Sequence, residues 1–353
     1  MNRRHFLRMS LGTIFGAALT SCTQNSSKSL HENQLNIYSW ADYLHPSTIP
    51  EFERRYGIRV VYDTFASNES LLAKLQAGAT DYDIIVPSSY LIKQLMKLDK
   101  LSVLDHSRIT NLKNIMERFR NPKFDPKLVH SVPYTWGTTG IGFNSAAIEK
   151  AQWPTNTEIF WNQNYAERMT LLDDARETIG MSLKKRGSSF NSTDQAQISA
   201  AVRDLVVQKP LTMCYTSDQV IVQLASGDSW LSLVYSGDAY QAQRDNHDVR
   251  YVIPENGTSI WLDNLCIPRG APHEANAYKW INFMLEPEIA AATASYTRYA
   301  TPNEVAFKLL PSSVTQDRNL YPRPDVMAKC EELADIGSAI FTYDRMWTEL
   351  KCS

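Results

Sequence analysis

Short apolar runs alternate with amphipathic stretches along the chain from residue 35 onward. Leu35-Asn36-Ile37-Tyr38-Ser39-Trp40 predicts a strand, and residues 46–56 predict a helix stopped by Gly57. Arg59-Val60-Val61-Tyr62 predicts a second strand, residues 67–77 a helix closed by Gly78, and Asp83-Ile84-Ile85-Val86 a third strand. In that second helix Ser67 and Ser70 are candidate caps, and Leu71, Leu72 and Leu75 form the stripe to be buried. The alternation returns later: Thr170-Leu171-Leu172 leads into a helix over 174–185, residues 195–207 predict another helix, and 211–215 and 231–235 predict strands. Ala277, Trp280, Ile281, Met284 and Leu285 fall on one helix face. Repeated βαβ units of this length imply mostly parallel sheets with helices on their faces, and two such blocks predict two lobes. In open parallel sheets a ligand sits beyond the carboxyl ends of the strands.

The first residues follow a different rule. Arg3 and Arg4 stand in Asn2-Arg3-Arg4-His5-Phe6-Leu7-Arg8, ahead of an apolar run over residues 9–19 that is too short to span a bilayer. Residues 1–21 therefore read as a signal peptide, compatible with either general secretion or twin-arginine export. Leu19-Thr20-Ser21-Cys22 has the form of a lipobox, so Cys22 is the expected site of acylation and residues 22–33 a polar tether. The sequence thus predicts an exported, periplasmic protein attached to the membrane through a lipid anchor only, since no later stretch is apolar for long enough to cross.

Composition narrows the class. Hydrophobic residues at 43% and charged residues at 21% are those of a soluble globular chain. The formal charge of −2 becomes −5 without residues 1–21, which hold three arginines and no acid. That mildly acidic balance argues against nucleic acid as a partner and suits a cation. Cys214, Cys266, Cys330 and Cys352 lie beyond Cys22; export permits disulfides, and the three possible pairings stay open.

Catalytic signatures are missing: no Gly-x-Ser-x-Gly, no Walker loop, no GxGxxG and no His-x-x-x-His occurs, and the seven histidines are scattered. No cofactor or metal is expected. Gly137, Gly140 and Gly142 in WGTTGIGFN have the wrong spacing for a phosphate loop and read as a tight crossover between lobes. Aromatic and acidic residues, by contrast, recur together: Trp40-Ala41-Asp42-Tyr43, Asp173-Asp174-Ala175-Arg176-Glu177, Tyr235-Ser236-Gly237-Asp238 and Ile260-Trp261-Leu262-Asp263. Trp261 and Asp263 would share a strand face, and Asp174 and Glu177 a helix face. Taken singly, these are ordinary core tryptophans, N-caps and turn acids. Together they suit a polyamine, a flexible apolar rod with an ammonium at each end: acids accept the ammonium groups and aromatic faces cover the methylenes.

At these residues the chain resembles the spermidine/putrescine-binding proteins of bacterial ABC importers. IYSWADYL, TFASNESLLAKL, YDIIVPSSYLI, VPYTWGTTGIGFN, LLDDARET, IWLDNLCIP, INFMLEP, YATPN and LYP carry the likeness, in order, over nearly the whole mature chain. The resemblance implies a two-lobed α/β fold of the periplasmic-binding type (type II), each lobe a mostly parallel sheet flanked by helices, joined by crossover strands. Lobe 1 would hold residues 34–138 and 263–303, lobe 2 residues 139–262 and 304–353. It implies aromatic walls at Trp40, Tyr43, Tyr90, Trp261 and Tyr299, acids at Asp42, Asp174, Glu177 and Asp263, and polar contacts at Ser88 and Ser217. It also implies that the protein is not an enzyme and that its partners are a polyamine and ABC permease subunits. Three positions depart from the family pattern: Tyr235 replaces a tryptophan, Asp238 follows it as in relatives that favour putrescine, and Leu333 (or Glu332) stands where a glutamine is expected.

Other readings compete. A protein of the same fold could bind ferric iron or a sugar, but iron calls for tyrosine-rich oxygen clusters and sugars for more Asn, Gln and Arg. A carboxylate-pair hydrolase would need an acid with a raised pKa, for which the sequence shows no cause. A purely structural lipoprotein would not need aromatics at so many strand ends.

Overall fold

Leu35 and Ile37 project to one side of β1 (Gln34–Ser39) and are almost fully buried, while Gln34 before them and Asn36 between them are half-buried. That period of two makes the segment a strand. The computed structural model describes residues 33–78 and 81–353. β1 lies between β2 (Arg59–Thr64) and β3 (Ile84–Ile85), parallel to both. The first crossover helix, Thr48–Tyr56, begins two residues later than the sequence predicts, because Pro46 belongs to a turn in which the Thr48 N–H bonds the His45 carbonyl. Gly57 ends it at φ 65°, a left-handed conformation that glycine adopts without a Cβ clash. The second, Asn68–Gln76, opens on a capping box: the Ser70 N–H donates to Ser67 Oγ at 3.1 Å and the Ser67 N–H to Ser70 Oγ at 3.3 Å. Beneath the sheet, Leu35, Ile37, Phe52 and Ile84 pack on Ala277, Trp280, Ile281, Met284 and Leu285, the predicted face of helix Glu274–Met284.

The remaining strands are β4 (Val132–Asn144), β5 (Met169–Leu171), β6 (Thr212–Tyr215), β7 (Leu231–Tyr235), β8 (Val249–Val252), β9 (Ser259–Leu265) and β10 (Glu331–Glu332). They form one sheet in the order β10-β9-β4-β7-β5-β6, with β8 on β4. β5 runs parallel to β6 and β7, whereas β4 pairs antiparallel with β7, β8 and β9. Val132 and Leu265 end in the core of the first sheet, while Ile141 and Phe143, at the other end of β4, join Met169, Leu171, Ile179 and Leu231 in a second core. β4 thus crosses between the two packed bodies, and β9 pairs with it over residues 132–138. WGTTGIGFN is accordingly not a tight crossover but an extended run inside β4. Its glycines admit neighbours: a Cβ on Gly137 would lie 2.5 Å from the Trp261 ring, and one on Gly140 2.5 Å from the Tyr251 hydroxyl.

Toward the C-terminus, Ala306, Leu310, Val314 and Leu320 pack on Trp136, Leu262 and Ala291, whereas helix Ile340–Cys352 delivers Tyr343, Met346 and Trp347 to the second core. Cys214, Cys266, Cys330 and Cys352 are free thiols, so none of the three pairings forms. No described helix is long and apolar enough to cross a membrane. The signal peptide, Cys22 and all but the last residue of the tether lie outside the described residues.

Candidate ligand-binding site

The ends of the strands converge on a cavity of about 70 Å³, several water-sized volumes by the same measure. Every candidate named from the sequence lines it: Trp40, Asp42 and Tyr43 beyond β1, Ser88 and Tyr90 beyond β3, Asp174 and Glu177 beyond β5, Ser217 beyond β6, Tyr235 and Asp238 at the end of β7, Trp261 and Asp263 on β9, and Tyr299. The five strands β1, β3, β5, β6 and β7 meet it with their carboxyl ends, as an open parallel sheet requires.

Four carboxylates in this wall are buried. Asp263, 2% exposed, receives the Ser88 hydroxyl on Oδ1 at 2.6 Å and the Tyr43 hydroxyl on Oδ2 at 2.5 Å. Burial pushes its pKa up to about 6, against the pull of those two bonds. Asp238 sits in the first turn of helix Ser236–Asp245 and accepts the Tyr299 hydroxyl; burial, with the charges of Asp42 and Asp218, holds it at about 7. Asp174 is the N-cap of helix Ala175–Lys185, taking the Glu177 N–H at 3.0 Å and the Tyr235 hydroxyl at 3.3 Å. It is both a cap and part of the cavity wall, and burial raises its pKa. Glu177 accepts the Ser259 hydroxyl at 2.6 Å and is pushed up to about 8 by burial and by Asp174. These shifts overturn the expectation that the acids lack a cause for a raised pKa: the cause is burial, which the sequence does not display.

Among the described residues, no lysine, arginine or histidine lines the cavity. The nearest cation by its electrostatic effect is Arg176, 1% exposed, which lowers the pKa of Asp174 and Glu177 but bonds the Ala334 carbonyl at 3.2 Å and Asn191 Oδ1 at 3.0 Å instead of either carboxylate. Ionising a desolvated carboxylate without a paired cation is costly, so these acids hold their protons more tightly than free ones, and positive charge placed among them would favour their ionised forms.

The aromatic walls are braced. Trp40 donates its indole N–H to the Val86 carbonyl at 2.9 Å and meets Phe65 edge-on at 4.5 Å. Trp261 stands edge-on to Tyr235 at 5.8 Å and to Tyr299 at 5.1 Å, and Tyr43 lies 5.1 Å from Tyr299. The indole nitrogen of Trp261 and the hydroxyl of Ser217 have no partner among the described residues. Asp42 is exposed and holds φ 53°, a left-handed conformation that aspartate tolerates better than most residues.

Seven further residues share the lining: Ala41, Phe65, Ala66, Asn68, Asp218, Ile221 and Leu333. Leu333, flagged only as a departure from the family pattern, is buried there. Asn68 lay in a motif read for its helix caps, its leucine stripe and the family likeness, and Asp218 follows Tyr215 at the spacing by which Asp238 follows Tyr235, a signal the sequence reading passed over. Glu69 stands just outside; it accepts the Tyr90 hydroxyl at 3.1 Å, and burial and Asp174 lift it to about 7.

The pattern of bacterial extracellular solute-binding proteins matches residues 48–321. The chain is 35% identical over 341 residues to the spermidine/putrescine-binding periplasmic protein of Salmonella typhimurium, covering 96% of this chain and 97% of that one. A solved spermidine/putrescine ABC transporter substrate-binding protein from Streptococcus pneumoniae is 34% identical, with TM-score 0.76 over 91% of this chain and 99% of that chain. The Tp0655 lipoprotein of Treponema pallidum is 29% identical, with TM-score 0.79 over 90% of this chain and 99% of that chain.

Proposed function

The chain belongs to the bacterial extracellular solute-binding proteins, a family of binders and not of enzymes, and from this premise we propose that its cavity captures a linear polyamine, spermidine or putrescine, for an ABC importer. One observation carries the reading. Asp174, Glu177, Asp238 and Asp263 are buried together, and among the described residues no basic side chain lines the space they enclose.

Aliphatic ammonium groups stay charged near neutral pH, since their pKa lies near 10. An ammonium that enters gives up water and gains charge-assisted hydrogen bonds to carboxylates whose own water is already gone. The methylenes between the ammonium groups meet Trp40, Tyr43, Trp261 and Tyr299, whose faces add dispersion and cation–π attraction. A sugar would leave the carboxylates unneutralised. Two lobes, residues 34–138 with 263–303 and residues 139–262 with 304–353, close over the ligand, with β4 as the crossing strand, β9 paired to it, and segment 306–320 leaning on the first lobe. The protein works outside the cytoplasmic membrane, held by acyl chains on Cys22 and a tether over 22–33, and it delivers to ABC permease subunits. The lipobox-like LTSC supports the anchor, as does the fact that the Treponema pallidum relative is called a lipoprotein.

Thermal melts with spermidine, putrescine, glucose and ferric citrate test the reading. A ligand at about 100 times its Kd adds about 2.7 kcal/mol of stability. The melting temperature should rise with the polyamines; a rise with glucose or ferric citrate alone contradicts the proposal.

A further inference from the structure

Asn68 is 2% exposed, at the first position of helix Asn68–Gln76, where it is not the cap: Ser67 fills that role. Both ends of its amide are spent on one residue. Nδ2 donates to Ser88 Oγ at 3.0 Å, and Oδ1 accepts the Ser88 backbone N–H at 3.0 Å. Ser88 Oγ in turn donates to Asp263 Oδ1 at 2.6 Å. A hydroxyl has a single proton. Because the amide already donates into Ser88 Oγ, that proton is committed to Asp263.

We propose that Asn68 is a positioning residue for ligand capture, acting through Ser88 to fix a donor on Oδ1 of Asp263 and leave the remaining lone pairs of that carboxylate for an ammonium. The inference rests on the polyamine reading. The other oxygen of Asp263 is held by Tyr43, so a carboxylate with one anchored donor per oxygen has a set orientation and stays an acceptor. The titratable groups beside Asp263 are Tyr43, Tyr134 and Tyr299, all kept protonated by burial. Beyond Tyr299 stands Asp238, and Glu177 lines the same cavity, so their titration near 7 and 8 is common to wild type and variants and the relay is read from the difference between them. Without the amide, Ser88 Oγ is free to turn, and Asp263 keeps its own proton to a higher pH. The carboxylate then meets the ligand partly neutral.

The test is a double-mutant cycle on the full mature protein, with putrescine and spermidine titrated calorimetrically from pH 5.5 to 8.5 and ligand-free melts recorded alongside. Asn68→Ala should weaken binding about tenfold at pH 7 and move the acidic limb of the affinity profile to higher pH. In a Ser88→Ala background the same change should cost less than about twofold, because the group it acts through is gone. Ser88→Ala alone should shift the acidic limb in the same direction, which keeps the relay testable should Asn68→Ala unfold. Equal losses in both backgrounds, or a Ser88→Ala protein with unaltered affinity and pH profile, overturns the relay. Wild-type protein that binds neither amine sinks the polyamine reading and the relay together; wild-type binding with an additive cycle sinks the relay alone.

Discussion

Tyr299 gives its hydroxyl proton to Asp238, tying the segment after helix Pro287–Thr297 to the first turn of helix Ser236–Asp245. The bond opposes the burial that holds Asp238 near pH 7, so it keeps part of that carboxyl ionised at neutral pH. Tyr299→Phe removes the bond and keeps the ring. Asp238 should then hold its proton to a higher pH, and affinity for a diamine at pH 7 should fall by about 1–2 kcal/mol, roughly five- to thirtyfold. Calorimetry at pH 7 and pH 8.5 checks it: the deficit should narrow at the higher pH, where Asp238 ionises regardless.

Ligand-free stability and ligand affinity should run in opposite directions with pH. Glu177, Asp238 and Asp263 have folded pKa values raised to about 8, 7 and 6, against about 4 in an unfolded chain. Their contribution to ligand-free stability is therefore fully present below about pH 4 and is lost as pH rises through 6 to 8. A cation prefers the ionised forms, so affinity should rise over the same window and binding near pH 7 should release protons. Titrations in buffers of different ionisation enthalpy measure that release; the same binding heat in every buffer would contradict it.

Part of this site was legible in the sequence because strand ends announce themselves, while Ser88, Tyr90, Ser217 and Tyr299 were legible only through the family resemblance. Trp40-Ala41-Asp42-Tyr43 and Tyr235-Ser236-Gly237-Asp238 each close an apolar run, and a parallel sheet sends such ends to one place. Asn68 and Glu69 were not legible, because they open a helix and their patterning reads as capping and solvent exposure. Nor were the pKa shifts, which depend on what covers each carboxyl. The glycines of β4 misled for a related reason: glycine marks a turn and a close approach alike, and only the positions of Trp261 and Tyr251 tell them apart.

Gly237 carries a packing prediction. A Cβ there would lie 2.4 Å from the Tyr299 ring, so Gly237→Ala must displace the ring that bonds Asp238. Overpacking of this kind typically costs about 1–3 kcal/mol. The melting temperature should fall and diamine affinity should fall with it; wild-type values for both would show that the ring has room to move.

Anchoring is checked by Cys22→Ala in a lipoprotein-competent bacterium. The variant should leave the membrane fraction while the wild type stays in it. A variant that remains membrane-bound with its signal cleaved would place the anchor elsewhere.

The central claim is that buried carboxylates hold the ammonium groups of the ligand, and Asp263→Asn tests it most directly. The substitution keeps the shape and removes the charge from a side chain already fixed by Ser88 and Tyr43. Truncating one partner of a buried charge pair typically costs about 2–5 kcal/mol, whereas Trp261→Leu, which removes stacking but no formal charge, should cost about 1–2 kcal/mol. Calorimetry with spermidine and putrescine on the two variants and the wild type is the measurement. The account predicts a loss of at least about thirtyfold for Asp263→Asn, larger than that for Trp261→Leu. A folded Asp263→Asn protein that binds both amines as tightly as the wild type would contradict it.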